Sequence, residues 1–180
     1  MVRSSSVCRV LASLTILGAA LAGCSSTDVP KFLLISGRAP EISGTSLLGG
    51  TVTPADYRGK VLVVNFWNYD CAPCHLEQPV LQADWERLRS QGVFMIGLMY
   101  VGGNPPYPSN RGAARAYLRR FGVTYPAIVD QTSALAKGFG IPGIPSTIVV
   151  DRTGRMRFRL YGRVRPGELG DVLAMLTTAG

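Results

Sequence analysis

Two cysteines separated by two residues, Cys71 and Cys74, are the side chains of this 180-residue chain best suited to chemistry. At this spacing two sulfurs can form a disulfide across the first turn of a helix, which is typical of a redox site. The next residue is His75, so the same stretch also matches the Cys-x-x-Cys-His pattern of covalent haem attachment. The sequence around the pair shows whether a redox site or a haem site is the better interpretation.

The sequence around the pair favours the redox site. A nearly all-apolar, β-branched run, Val61–Trp67, precedes it and predicts a central strand buried on both faces. Residues 74–91 place apolar side chains at helical spacing, so a helix should begin at the pair. At a helix N-terminus the free N–H groups and the helix dipole would stabilise a Cys71 thiolate, while a more buried Cys74 would resolve the mixed disulfide. A haem site would also need a second axial ligand, such as a methionine, and its motif would lie in the middle of an α/β pattern.

A carboxyl group is available to take the proton of the second thiol. Glu77 follows Cys74 by three residues and therefore shares a helix face with it. A carboxylate on the helix surface is the alternative interpretation. Asn65, inside the apolar strand, points towards the same region, but a neutral amide does not accept a proton at ordinary pH.

A proline marks the start of a later strand. Pro145 stands just before the apolar stretch 146–150, where an X-Pro bond can be cis. The backbone of Ile144 beside it could pair with an extended substrate by strand addition. The alternative is an ordinary trans proline in a loop.

The N-terminal segment is typical of a bacterial lipoprotein signal. Arg3 and Arg9 form a basic region, residues 10–20 are apolar, and the stretch that ends at Cys24 resembles a lipobox. We expect cleavage before Cys24 and a diacylglycerol on its sulfur. An uncleaved anchor or an ordinary signal peptide are the alternatives, although the apolar run is short for a membrane span.

This processing defines the organisation of the chain. We expect a signal peptide over residues 1–23, a lipidated cysteine and tether over 24–36, and one domain over 37–180. Cleavage would also remove Cys8, which leaves only the Cys-x-x-Cys pair in the domain and excludes a structural disulfide framework. An extracytoplasmic location would allow that pair to be oxidised.

Charge and composition restrict the partners. The net charge of +8 falls to +6 without Arg3 and Arg9, which could favour anionic lipid or acidic partners, or could simply be a soluble basic surface. We expect no nucleic-acid partner.

An apolar content of 47% is enough for a core without disulfide staples. The element order βαβαβαββα predicts an α/β fold with one central mixed sheet flanked by helices.

Together these motifs resemble the thioredoxin superfamily, in particular its TlpA/ResA-like branch of membrane-tethered thiol–disulfide oxidoreductases. The matching segments cover the chain from about residue 37 to its C-terminus and lie, in order, at residues 58–60, 64–67, 71–74, 77, 79, 125–130, 143–147 and 150–154. The resemblance implies a thioredoxin-like fold without a cofactor. It also implies an enzyme on the outer face of the cytoplasmic membrane that acts on protein thiols and disulfides, in cytochrome c maturation or oxidative folding, and that a membrane redox partner resets.

The resemblance also implies roles for individual residues. Cys71 would be the nucleophile, Cys74 the resolving thiol and Glu77 the buried acidic modulator. Pro145 would be a cis-proline opposite the disulfide. Substrate contacts would involve Ile144, Pro145 and Trp67.

Asp70 departs from the family pattern, whereas His75 agrees with it. Asp70 stands where this family often has Trp, and its negative charge should oppose formation of the Cys71 thiolate. His75 stands where the family often has a basic residue, which predicts a solvent-facing side chain and no ligand role.

Other activities fit less well. A peroxidase of the peroxiredoxin type would need Thr or Ser at the position of Asn68, and a zinc site would need more ligands than the pair and His75 supply. The non-enzymatic alternative is a thioredoxin-fold lipoprotein that uses its dithiol to hold cargo as a chaperone.

Overall fold

The computed structural model describes residues 32–178, with side chains described as far as residue 176. The predicted signal peptide and Cys24 therefore lie outside the described residues. In chain order the elements are β1 (Phe32–Leu34), β2 (Gly44–Thr45), β3 (Thr51–Val52), α1 (Pro54–Tyr57), β4 (Val61–Trp67), α2 (Ala72–Leu88), β5 (Val93–Tyr100), α3 (Arg111–Arg120), β6 (Ala127–Asp130), α4 (Ala134–Gly138), β7 (Ser146–Val150), β8 (Met156–Tyr161) and α5 (Glu168–Thr178).

Six of these strands form one mixed sheet in the order β1-β8-β7-β4-β5-β6. β4 pairs in parallel with β5 and antiparallel with β7, so it lies in the interior of the sheet, as its continuous apolarity predicted. β5 also pairs in parallel with β6, whereas β8 is antiparallel to both β7 and β1. The predicted mixed sheet is confirmed.

The side chains of β4 alternate between two cores, one on each face of the sheet. Val63 and Trp67 pack into the core that also contains buried side chains of α2, α3 and α5. Leu62, Val64 and Phe66 pack into the core on the face of α4. This alternation follows from the two-residue period of a strand. It fixes which β4 side chains face the helix that follows the cysteines.

The N-terminal part of the described chain contains a hairpin and the first strand of the sheet. β2 and β3 form a hairpin, because they pair across Gly49 and Gly50 and both glycines have positive φ. The sheet, however, begins at Phe32, inside the segment 24–36 that was assigned to the tether. The Phe32 ring packs edge-on against Phe158 at 5.5 Å between ring centroids, which explains why this segment adds to the sheet.

No helix within residues 32–178 is long and apolar enough to cross a membrane. The carboxyl end of β4 leads through a short turn into α2, and this turn carries the two cysteines.

Candidate active site

Cys71 and Cys74 are joined by a disulfide with an S–S distance of 2.08 Å and a Cα–Cα distance of 5.3 Å. Cys71 is the N-cap residue of α2, and its Sγ accepts a hydrogen bond of 3.3 Å from the backbone N–H of Cys74. The first sulfur therefore lies where the free N–H groups and the dipole of a 17-residue helix favour negative charge. This arrangement suits a thiolate at Cys71.

Cys71 and Cys74 differ little in exposure. Cys71 is 3% exposed and Cys74 is fully buried. Both belong to the core that contains α2 and α3, and Cys74 is the more buried of the two, as the sequence predicted. The exposed surface at this point comes from the neighbouring residues Asp70, Ala72 and Pro73.

Glu77 is fully buried, which contradicts the interpretation of it as a surface carboxylate. Its Oε1 accepts a hydrogen bond of 2.8 Å from the side-chain amide of Asn65, and its Oε2 accepts one of 2.9 Å from the backbone N–H of Val164. Burial raises the pKa of Glu77 from 4.5 to about 7, and these two hydrogen bonds oppose the rise. A carboxyl group with this pKa exchanges protons readily near neutral pH.

Asn65 holds the Glu77 carboxyl group in place. Its Nδ2 donates to Glu77 and also to the Thr147 hydroxyl at 3.1 Å, so it connects β4 with both α2 and β7. An amide is not a base, so the search for a proton acceptor in the sequence did not identify this positioning role of Asn65. A polar side chain inside an otherwise apolar strand was the available signal, because buried polar groups need partners.

The Ile144–Pro145 peptide bond is cis, as the position of Pro145 before a strand suggested. Ser146 pairs with Phe66, so the position of Pro145 extends the β7 ladder opposite Trp67, close to the end of β4 that leads to the disulfide. The Pro145 carbonyl accepts a hydrogen bond from Gly162, whereas the backbone of Ile144 makes none with any residue from 32 to 178. Ile144 therefore has the free backbone groups that strand addition requires.

Trp67 has no exposed surface, which corrects the expectation that it contacts substrate. Its ring stacks on Tyr117 of α3 at 4.9 Å between centroids, with an angle of 11° between the planes. A side chain enclosed in this way supports the site from beneath. The sequence could not show this because the residue that covers Trp67 lies on another helix.

His75 is also not the solvent-facing residue that the sequence predicted. It is half-buried, its Nε2 lies 2.8 Å from the Tyr69 carbonyl oxygen, and its ring packs against Tyr117 and Phe121 at 5.1 and 5.8 Å. His75 thus attaches the first turn of α2 to α3. In the described part of the chain no group of three or more His, Cys, Asp or Glu side chains could hold a metal ion.

Asn68 organises the turn before the cysteines, a role that the sequence alone did not indicate. Its buried amide donates to the carbonyl oxygens of Tyr100 and Pro108 at 2.7 and 3.0 Å, and its Oδ1 accepts from the N–H of Asp70 at 3.0 Å. The side chain therefore connects the turn to the loop after β5. Asp70, the departure from the family pattern, is exposed beside Cys71.

Solved structures of other proteins share this fold. A DsbF homologue from Corynebacterium diphtheriae superposes with a TM-score of 0.69 at 26% identity, over 83% of this chain and 96% of that one. A thiol:disulfide interchange protein from Chlorobium tepidum superposes with a TM-score of 0.68 at 24% identity, over 78% of this chain and 96% of that one.

Sequence relatives agree with the structural neighbours. The thiol-disulfide oxidoreductase ResA of Geobacillus kaustophilus is 26% identical over 135 residues, which are 75% of this chain and 74% of that protein. ResA of Bacillus subtilis is 24% identical over 168 residues, which are 90% of this chain and 83% of that protein.

The fold, the disulfide at the start of α2 and these relatives define a ResA-like thiol–disulfide oxidoreductase with a thioredoxin-like fold, as the sequence resemblance predicted. The AhpC/TSA family model matches residues 35–159, and the chain belongs to this family.

Proposed function

We propose that the chain exchanges disulfides with protein substrates outside the cytoplasmic membrane, through the Cys71–Cys74 couple. The observation that carries this proposal is a disulfide at the N-terminus of α2 with a buried carboxyl group, Glu77, one helical turn further on. The first sulfur has the helix terminus to stabilise its anion, and the second lies on the same helix face as a group that can take its proton.

In the reducing direction, the Cys71 thiolate attacks a substrate disulfide, whose S–S bond breaks as the new mixed disulfide forms. The departing substrate thiolate takes a proton from solvent. Cys74 then loses its proton to the Glu77 carboxylate and attacks the Cys71 sulfur, which releases the second substrate sulfur as a thiolate. This thiolate takes a proton from solvent, and Glu77 returns the proton of Cys74 to solvent. The substrate gains two electrons and two protons, and the Cys71–Cys74 disulfide forms. The oxidising direction runs the same steps in reverse.

Substrate would lie beside the disulfide as an added strand. The free N–H and C=O groups of Ile144 support this position, because no described residue occupies them. Pro145, the next residue, has no backbone N–H that could compete there. Trp67 is not part of this contact because it is fully buried.

The proposal extends to location and pathway. We propose a lipoprotein attached through Cys24 to the outer face of the cytoplasmic membrane, where a membrane redox partner resets the couple. This location is supported by the lipobox-like sequence and by the similarity of the chain to ResA and DsbF proteins. Such a protein would serve cytochrome c maturation or disulfide-bond formation.

A turnover assay separates this function from a chaperone that only holds cargo. The purified chain, at concentrations far below the substrate, should reduce insulin in the presence of dithiothreitol or oxidise a reduced dithiol peptide in the presence of oxidised glutathione. Cys71→Ser should abolish either reaction. A wild-type chain that turns over neither substrate would contradict catalysis.

A further inference from the structure

The terminal strand β1 of the sheet exposes apolar side chains to solvent. Within the described residues it pairs with β8 alone. Leu33 is 53% exposed and Leu34 is 77% exposed, so Leu34 is the most exposed large apolar side chain among residues 32–176. An exposed apolar edge strand is a site of association unless charge or another element protects it. The edge of β1 therefore needs a partner surface.

Two exposed arginines continue this edge beyond Leu34. Arg38 forms an antiparallel bridge with Arg155, so two like charges lie opposite each other just before β8, which is destabilising. The nearby Asp151 carboxylate accepts a hydrogen bond from the backbone of Arg155 but forms its ion pair with Arg157. Neither Arg38 nor Arg155 forms an ion pair within residues 32–178. The edge thus combines exposed apolar side chains with cations that the fold does not neutralise.

The proposed lipid anchor lies close to this edge in the sequence. Cys24 precedes Phe32 by eight residues, and eight fully extended residues span at most about 28 Å. A compact domain of about 150 residues has a radius of gyration of about 15 Å and is therefore about 40 Å across. Because the tether is shorter than the domain is wide, an anchored chain holds β1 nearest to the lipid.

We propose that the β1 edge, residues 32–38 together with Arg155, is a docking surface for the anionic bilayer in which Cys24 is anchored. This inference rests on the lipoprotein part of the proposed function. Leu33 and Leu34 enter the boundary between headgroups and acyl chains, and the two arginines lie among the lipid phosphates. The anchor keeps the chain at the bilayer, and the β1 edge sets the orientation of the domain there.

This orientation also sets the height of the disulfide above the bilayer. Phe32 pairs with Leu160, Leu160 with Thr147, and Thr147 with Asn65, so these four residues form one row across the sheet. Three strand spacings of about 4.8 Å separate the backbones of Phe32 and Asn65 by about 14 Å. Asn65 lies two residues before the end of β4, which leads to the cysteines. The disulfide is then within reach of a redox partner embedded in the same membrane.

The test measures the depth of position 34 in vesicles. The full chain is produced in a bacterium that processes lipoproteins, and Leu34→Cys is labelled with the fluorophore NBD while Cys71 and Cys74 stay oxidised. The mass of the N-terminal peptide shows whether Cys24 carries lipid. In vesicles of phosphatidylcholine and phosphatidylglycerol with doxyl-labelled lipid, position 34 should lose about half of its fluorescence, because a docked edge is buried about 5–10 Å. The same label at Leu48→Cys, in the β2–β3 hairpin, should lose much less.

The decisive variant adds Arg38→Glu and Arg155→Glu to the chain labelled at position 34. Quenching should largely disappear, because carboxylates replace cations that an anionic surface attracts. The like-charge pair remains a like-charge pair, so the fold should tolerate the change. The matched control, Arg111→Glu with Arg119→Glu, makes the same charge change on α3, which connects β5 to the opposite terminal strand β6, and should keep the wild-type quenching.

Four results would overturn the proposal. Quenching at position 34 no stronger than at position 48, in a chain with lipid on Cys24, would overturn this inference alone. Wild-type quenching in the Arg38 and Arg155 variant would contradict docking through charge. NBD emission that shifts to the blue with protein density, without quenching by doxyl lipid, would assign the edge to a second copy of the chain. A purified chain without lipid on Cys24 would overturn the lipoprotein part of the proposed function and this inference together.

Discussion

At the scale of single residues, Glu77 is a carboxyl group that the folded chain favours in its protonated form. Burial raises its pKa from 4.5 to about 7, although Asn65 and Val164 donate hydrogen bonds to it. The stability that comes from holding this proton is fully present below pH 4.5 and is lost as the pH rises through about 7. The fold is thus less stable near neutral pH than at low pH, because it holds a buried proton acceptor one helical turn after Cys74.

Replacement of Glu77 by Gln should remove this pH dependence. The wild-type chain should lose about 3 kcal/mol of unfolding free energy between pH 4.5 and pH 8, whereas Glu77→Gln should lose much less. Urea unfolding at a series of pH values measures the difference. Glu86→Gln, an exposed position on the same helix, is the matched control and should behave as wild type. Parallel pH curves for wild type and Glu77→Gln would contradict the assignment.

Asn65 can be tested by a nearly isosteric change. In Asn65→Asp a second carboxyl group would lie within hydrogen-bond distance of Glu77, and two such groups share a proton because both cannot readily be charged. The pH at which the alkylation rate of Cys74 changes should rise by about one unit or more. In the double variant Asn65→Asp with Glu77→Gln a single carboxyl group remains, and the upward shift should disappear.

At the scale of elements, the turn between β4 and α2 and the loop after β5 depend on one buried amide. Asn68 makes hydrogen bonds to Tyr100, Pro108 and Asp70, and all three partner groups belong to the backbone. The turn holds Cys71 at its N-cap position, so this amide contributes to the geometry of the disulfide. The same loop leads into α3.

Asn68→Ala should therefore loosen both segments together. We expect faster amide hydrogen exchange at Asp70 and across residues 101–110, and a loss of about 2 kcal/mol of unfolding free energy, because buried backbone groups lose their partners. Asn65→Ala is a suitable control, since it removes a different buried amide, which lies within β4 and does not contact this loop. Exchange that increases equally in both variants would contradict a specific role for Asn68.

The sequence predicted the elements better than it predicted their contacts. β4 and the helix at the cysteines follow from local patterns, and the structure confirms them. The burial of Trp67 depends on Tyr117, and the role of Asn65 depends on Thr147, residues that lie far along the chain. Local periodicity contains no information on such pairs, so the expectations for exposed Trp67 and His75 side chains failed.

At the scale of the whole molecule, the sheet includes a strand that the sequence had placed in the tether. β1 covers the edge of β8, and Phe32 packs on Phe158. A chain shortened to begin at residue 37 should be less stable than one shortened to begin at residue 32, by about 1 kcal/mol for the partly buried Phe32 side chain alone. Chemical denaturation of the two shortened chains measures this, and equal stability would place the domain boundary at residue 37 after all.

The central claim is that Cys71 attacks the substrate and Cys74 resolves the product. Its most direct test is trapping with Cys74→Ser and Cys71→Ser, each incubated with a peptide that contains one disulfide, followed by mass spectrometry without reductant. Cys74→Ser should accumulate a mixed disulfide at Cys71, and Cys71→Ser should accumulate little. An absence of adduct in Cys74→Ser, or equal trapping in both variants, would contradict the account.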